Sequence, residues 1–344
     1  EKPLPSLLRG FSAPVRLEYD YSREELAFLM AHDSDAFNRW EAGQDLGLSI
    51  LLEQVERYQK GENLELDTEL VTAFTRVLED AENDPAFVAE MLTLPGEAYI
   101  AEQMSIVDVD AIHEVRDFVR RELAVSLEPR LLELWQALQQ AQSEFSLEAR
   151  DMGQRRLKSL CLSYLTELGH DELASEQYEQ ARTMTDTMGA LAALNHGDSP
   201  LRDQCLDRFH ERWQHDSLVM DKWFSLQAMA QREGTLDAVR ELMQHPLFSI
   251  RNPNKVRALI GAFAQGNPTA FHNKDGSGYD FLANQIIELD GLNPQVAARM
   301  VRPLSRWRRF DEDRQALMLS ALRRILDHEG ISSDVYELVS KSLD

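Results

Sequence analysis

Cysteine is scarce: two among 344 residues, which leaves no disulfide framework and fits a reducing, cytoplasmic setting. Cys161, in Leu160-Cys-Leu-Ser-Tyr-Leu, and Cys205, in Asp203-Gln-Cys-Leu-Asp, read as buried helix thiols. No run approaches the ~18 apolar residues of a membrane span. Positive charge is also short, with 36 Lys and Arg against 59 Asp and Glu and a formal net charge of −23. A nucleic-acid binder needs a concentrated basic face. The one candidate is Arg302, Arg306, Arg308 and Arg309 around Trp307, which is short and is followed at once by Asp311-Glu312-Asp313. Neither nucleic acid nor a membrane is therefore expected as a partner. The opening Glu1-Lys2-Pro3-Leu4-Pro5 lacks the basic start and apolar middle of a signal peptide. It also lacks an initiator Met, which points to a piece of something longer.

Catalytic motifs are missing as well. A metallopeptidase helix needs H-E-x-x-H, because a spacing of four puts two imidazoles on one face. In His210-Glu-Arg-Trp-Gln-His215 the spacing is five, about 140° round the axis, so one helix cannot chelate a metal there. His113-Glu114 and His328-Glu329 have no second His four residues on. Asp275-Gly-Ser-Gly-Tyr279 lacks the Gly-Lys-Ser/Thr of a phosphate loop and reads as a turn into a helix. Neither thiol has an evident His partner to make it a nucleophile.

What is present is helical periodicity. Only Pro14–Tyr21 alternates with period two, Val15, Leu17, Tyr19 and Tyr21 against Arg16, Glu18 and Asp20. This predicts a β-strand whose partner strands lie elsewhere. From Ser22 onward the pattern predicts helices at about 23–39, 41–60, 64–80, 85–94, 97–104, 108–139, 146–168, 171–182, 185–195, 199–213, 218–231, 235–244, 252–264, 279–290, 293–301, 311–328 and 332–343. Ser22 with Glu25 makes a capping box. Asn-Pro recurs at Asn252-Pro253, Asn267-Pro268 and Asn293-Pro294; each time Asn suits the N-cap and Pro the first helical position. Many short-linked helices without a sustained heptad predict an all-α fold. It is read as a superhelical array of antiparallel helix pairs of the HEAT or armadillo kind, with a β-strand remnant at the N-terminus. A compact bundle is the alternative.

Within the stretch 252–303, Val256, Leu259, Ile260 and Phe263 form one apolar stripe, with Lys255 and Arg257 off it. Gln295 and Arg299 share a face, four residues apart, in what is read as the first turns of a helix. A guanidinium near a positive helix end suits a carboxylate; a plain solvated face is the alternative. In Leu218-Val-Met-Asp-Lys-Trp-Phe the apolar residues read as core, with Asp221 and Lys222 solvated.

Leu218-Val-Met-Asp-Lys-Trp-Phe, Asn252-Pro-Asn-Lys-Val-Arg-Ala-Leu-Ile-Gly-Ala-Phe, Phe271-His-x-x-Asp-Gly-Ser-Gly-Tyr and Asn293-Pro-Gln-Val-Ala-x-Arg together resemble the C-terminal part of the bacterial aminopeptidase N family, zinc metallopeptidases of the gluzincin type. Pro5-Ser-Leu-Leu-Arg-Gly-Phe-Ser-Ala-Pro-Val resembles the end of that family's small β-sandwich domain. The resemblance implies that residues 1–20 close the sandwich and 21–344 form the C-terminal helical domain. It implies a non-catalytic role, closing the active-site chamber, restricting substrates to short peptides and contacting the prime side of the peptide through Arg299, Gln295 and Arg257. Zinc would belong to the parent enzyme, with no cofactor in this chain, whose partners would be the catalytic and β-sandwich domains. A self-standing HEAT-like interaction scaffold is the competing reading. With no H-E-x-x-H, the chain alone is expected not to hydrolyse aminoacyl-nitroanilides with or without added zinc; robust activity lost to a chelator would overturn this.

Overall fold

The computed structural model describes residues 3–15, 17–141 and 145–344, without the side chain of Phe11. Its regular structure among these residues is helical, with one isolated bridge, Val107 to Phe310. Residues 12–15 and 17–20 form no strand. Val15, Leu17 and Tyr19 stay exposed, and Tyr21 donates its hydroxyl to the Pro5 carbonyl at 3.0 Å. The alternation is real, but no second strand is present among the described residues to pair it, and an unpaired strand is not stable in water. Arg16, which completes the alternation, and Glu1 and Lys2 lie outside the described residues.

Helix starts follow the side chains that cap them. Ser22 and Glu25 form the expected capping box on Arg23–His32. That helix ends sooner than the periodicity predicts, because the Asp35 carboxylate accepts from the Phe37 and Asn38 amides and starts a new helix, Ala36–Gln59. Satisfying two orphan N–H groups there outweighs continuing the first helix. All three Asn-Pro pairs cap as expected: Asn252 accepts from Asn254, Asn267 from Ala270 and Asn293 from Val296. The middle one opens only a turn of helix, Pro268–Phe271.

The chain divides into two compact units, the first Glu1–Gln103 with Ala111–Ala193, the second Met104–Asp110 with Leu194–Asp344. In the first, Arg23–His32 packs on Ala36–Gln59, and Ala149–Leu165 on Pro85–Met91. The last two approach so closely that a Cβ on Gly153 would come within 2.7 Å of the Ala86 nitrogen. The centre holds a buried ion pair: Lys158, 1% exposed, reaches Asp186 at 2.8 Å and donates to Gln139 Oε1 at 3.1 Å. Thr183 Oγ1 donates to the other Asp186 oxygen at 2.8 Å. Desolvation pulls the Lys158 ammonium below its ordinary pKa, against the pull of Asp186. Cys161 is fully buried beside it in sequence, and burial pushes its thiol up to about 12, so it is inert at neutral pH.

The second unit is organised by Arg314, which is 4% exposed in the helix Glu312–Leu326. Its guanidinium donates to the His272 carbonyl at 2.8 Å, to Asp311 at 2.9 Å and to both Asp110 oxygens at 3.1 and 3.2 Å. Lys274 adds a 2.9 Å ion pair to Asp110. Val107 donates to the Arg309 carbonyl at 2.6 Å and Arg309 donates to the Met104 carbonyl at 2.6 Å. Residues 104–110 are thus stitched to the remainder of the unit. His272 lies stacked on Phe310 and edge-on to Phe271 and Tyr279, with the Tyr279 hydroxyl 2.8 Å from its Nδ1. Enclosure by these rings and the nearby Arg314 charge hold the imidazole neutral, its pKa down at about 3. As expected, residues 275–279 are a turn into a helix, Ser277–Asp290, with Gly276 at φ 75° and Ser277 donating to Asp275. A Cβ on Gly278 would sit 2.2 Å from the Phe271 carbonyl oxygen.

Of the pair expected to be solvated, Lys222 is exposed, but Asp221 is half-buried against Lys255, which lies in the core although it is off the apolar stripe. Lys255 is 3% exposed, 2.7 Å from Asp221 and from the Ser217 carbonyl, with its ammonium over the Phe224 ring. A long methylene stem lets a charge sit in a core provided its head finds a carboxylate and a carbonyl. The apolar stripe Val256, Leu259, Ile260 and Phe263 is fully buried as expected.

Two measurements check these networks. Lys158→Met strands the Asp186 carboxylate and is expected to cost roughly 3–5 kcal/mol in urea unfolding, whereas pairing it with Asp186→Leu recovers most of that loss; equal losses would show that the ion pair is not what is being removed. The folded pKa of His272 lies below the unfolded value, so its contribution is complete above about pH 6.5 and is lost as pH falls toward 3. Unfolding free energy is therefore expected to fall by up to ~1.4 kcal/mol per pH unit in that window from this group. In His272→Phe the decline between about pH 6.5 and 4.5 should be shallower by ~2 kcal/mol.

Candidate functional site

Of the residues singled out in the stretch 252–303, Gln295 and Arg299 lie one turn apart on the exposed face of one helix, as expected, while Arg257 sits on a different element. Arg299 is exposed in the last turn of a seven-residue helix, Pro294–Met300, rather than in the first turns of a longer one. Val301 then bends the chain into Arg302–Ser305, because Pro303 cannot continue the ladder of amide donors. The helix dipole next to Arg299 is consequently its negative end, which suits a cation. Ala297, Ala298 and Met300 are buried, and that anchors the short helix with Arg299 outward.

Arg299 lines a cleft of about 600 Å³ with Gln265, Ala298, Val301, Arg302, Ser305, Arg308, Leu338, Lys341 and Ser342. One wall is the helix Ser333–Leu343. Its start is held by Asp290, whose carboxylate accepts from the Ser332 backbone N–H at 2.7 Å and from the Ser332 hydroxyl. Its end is held by Trp307 Nε1 on the Ser342 carbonyl at 2.8 Å and by Arg308 on the Ser342 and Leu343 carbonyls, both at 3.2 Å. Two of the four carbonyls that every helix leaves unpaired are thus satisfied by side chains. Arg308 also stacks on Trp307, 4.3 Å from the ring centre.

Lys341 reaches Glu337, one helical turn back. No carboxylate among the described residues pairs with Arg299 or Arg302. Other exposed arginines, Arg121 and Arg251 among them, also lack an ion pair among the described residues; what sets Arg299 and Arg302 apart is that they share one concave place whose lining holds no Asp or Glu.

Gln295 is exposed, but it does not line this cleft. Arg257 lies outside it too: its guanidinium turns back on its own helix, donating to the Pro253 carbonyl at 3.1 Å and to Asn254 Oδ1 at 2.6 Å. Arg257 opens a π-helical turn, Arg257–Gly261, between two short α segments, and such single-turn expansions are often found at functional sites. Arg299 thus lines the cleft, its helix neighbour Gln295 lies beside Arg299 outside the lining, and Arg257 is on a separate element. Arg302 and Arg308 were visible in sequence as a basic run around Trp307. Lys341 carried no local signal, since it is brought in by the packing of the last helix.

Nothing in the arrangement suits a metal ion: among the described residues no three His, Cys, Asp or Glu side chains converge on one point. His210 packs against Trp223 and His245 instead, their ring centres 5.2 and 5.0 Å away, while His215 is exposed beyond the end of the helix. His113 pairs with Glu97 and Asp117. No helix is long and apolar enough to cross a membrane among the described residues.

Residues 23–344 match the profile of a protein family described as "Domain of unknown function (DUF3458_C) ARM repeats". Aminopeptidase N of Escherichia coli K12 is 43% identical over 346 residues, covering 99% of this chain and 39% of that protein. Aminopeptidase N of Haemophilus influenzae is 42% identical over 344 residues, again 99% of this chain and 39% of the relative. Among solved structures, Legionella pneumophila aminopeptidase A in complex with aspartic acid superposes with a TM-score of 0.89 at 33% identity, covering all of this chain and 41% of that one. The chain spans about two fifths of the length of each.

Proposed function

This chain belongs to the DUF3458_C ARM-repeat family and aligns with the C-terminal helical region of aminopeptidase N, and from that premise we propose that it serves a zinc aminopeptidase as a non-catalytic wall. In this reading it closes the active-site chamber, limits entry to short peptides and meets the downstream, prime-side part of the bound peptide. The observation that carries the proposal is the match over 99% of the chain with a relative two and a half times its length, in a chain that assembles no metal donor set among its described residues. The segment 1–20 is then the tail of a β-sandwich, and its unpaired alternation is what a strand torn from its sheet would show. Cytoplasmic placement follows in the same reading.

Zinc would be held outside this chain and would supply an activated water; the residues here add position and access. Arg299 is best suited to the task. Its guanidinium is exposed, unpaired and on a rigid short helix, so it can take a peptide carboxylate bidentately without first breaking a bond of its own. Arg257 keeps unused N–H donors after its two local bonds, so it contributes from a fixed orientation. Gln295 supplies an amide. Such remote contacts raise kcat/KM by positioning the peptide, and they act only on substrates long enough to reach them.

Arg299→Ala in the full-length enzyme is expected to lower kcat/KM for tri- and tetrapeptides about tenfold or more, while a single-residue chromogenic substrate changes less than about twofold. Equal losses on both classes would remove the prime-side role.

A further inference from the structure

The ten residues around the cleft between Pro294–Met300 and Ser333–Leu343 include four cations, Arg299, Arg302, Arg308 and Lys341, and no Asp or Glu. Arg302 and Arg308 belong to a basic run too short for nucleic acid, and nothing in the prime-side role uses them. Their surroundings differ in a way that matters. Arg308 is spent on the Ser342 and Leu343 carbonyls and on Trp307, and Lys341 is shared with Glu337. Arg299 and Arg302 are exposed and make no ion pair among the described residues. Leaving two like charges together, with no Asp or Glu in the lining, costs stability unless an anion completes the place. Ala298, Val301 and Leu338 add an apolar strip, and Gln265, Ser305 and Ser342 add neutral hydrogen-bonding groups. At about 600 Å³ the cleft has the size of a small-ligand site.

We propose that this cleft takes the doubly anionic end of a short peptide, its C-terminal carboxylate together with an Asp or Glu side chain. The inference rests on the reading that this chain meets the downstream part of a peptide, and it narrows that reading to a substrate class. The two unpaired guanidinium groups match two carboxylates, each planar fork offering a pair of parallel N–H donors. Lys341 swings between Glu337 and the incoming acid as a mobile point charge. The apolar strip accommodates the methylene part of the acidic side chain. A peptide ending in a neutral residue fills only one of the two forks, and one ending in Lys brings a like charge against the other.

Calorimetric titration of the 344-residue chain with the tripeptides Ala-Ala-Glu, Ala-Ala-Gln and Ala-Ala-Lys, and with inorganic pyrophosphate, tests the proposal. Ala-Ala-Glu is expected to bind about tenfold tighter than Ala-Ala-Gln, with Ala-Ala-Lys weakest, and the preference should shrink as salt rises. Arg302→Gln and Lys341→Gln lie on the exposed surface, so the fold is expected to hold, which unchanged unfolding midpoints would verify. Arg302→Gln should bring the Glu over Gln preference down to about twofold or less, and Lys341→Gln should reduce it part of the way. Equal affinity for the Glu and Gln peptides, no peptide binding at all, or a preference that survives Arg302→Gln would overturn the proposal. Pyrophosphate binding tighter than every peptide would reassign the cleft to phosphate. The broader prime-side role fails separately: Arg299→Ala in the full enzyme can impair longer peptides whether or not the Glu preference exists.

Discussion

Arg314 carries a full charge at 4% exposure, and a buried guanidinium is tolerable only when its donors are met. Its partners come from three separate places in the chain: Asp110, the His272 carbonyl and Asp311. Because one flat cation demands all three at once, it fixes the start of Glu312–Leu326, the turn before Ser277–Asp290 and the segment 104–110 together. The carboxylates gain as well: against the desolvation that raises them, Asp110 is held below the ordinary Asp range by hydrogen bonds from Lys274 and Arg314, and Asp311 by the Arg314 backbone N–H and guanidinium. The stacking of His272 on Phe310 and the bridge from Val107 follow from that placement. The walls of the cationic cleft are built on the same framework, since Arg308 and Trp307 lie in the turn just before Asp311.

A chain with 59 acids and 36 bases has carboxylates enough to neutralise every cation, and its buried cations in particular take one. Lys158 takes Asp186, Lys255 takes Asp221, Arg120 takes Glu167 and Arg324 takes Asp280. Surface pairs of this sort contribute little individually; the buried ones decide which helices lie side by side, because breaking one leaves a charge in the core. Against this background the cleft around Arg299 differs in kind. Its cations are gathered without acids in its lining, on a wall whose helix is secured at both ends. A rigid, positively charged concavity in a domain aligned with a peptidase is what gives the prime-side reading chemical content.

The helical content, most helix starts and the apolar stripe from Val256 to Phe263 were legible in the sequence, since each is a local matter of capping or periodicity. Where the reading slipped, a competing local or distant interaction won. The periodic run through 23–39 was cut by the Asp35 carboxylate, whose capping bonds to Phe37 and Asn38 are worth more than a continued turn. The alternation at Pro14–Tyr21 is a strand signal without a partner. Lys255 reads only as lying off the apolar stripe until Asp221 and Phe224, two helices earlier, are placed beside it. The π turn at Arg257–Gly261 leaves no mark in composition.

The candidate site divides along the same line. Residue types and their order along the chain determined that this protein is a helical array, that it carries no H-E-x-x-H, that its two cysteines make no disulfide framework and that it resembles the C-terminal part of a peptidase family. Periods of 3.6 and capping chemistry act over a few residues, so they survive in one dimension. Only tertiary structure decided that Arg299 joins Arg302, Arg308 and Lys341 in one cleft whose lining includes neither Gln295 nor Arg257. Convergence of that sort depends on where Pro303 ends a helix and on how Asp290 and Arg308 hold another across from it, and separations of 35 and 42 residues hold no period from which to read that.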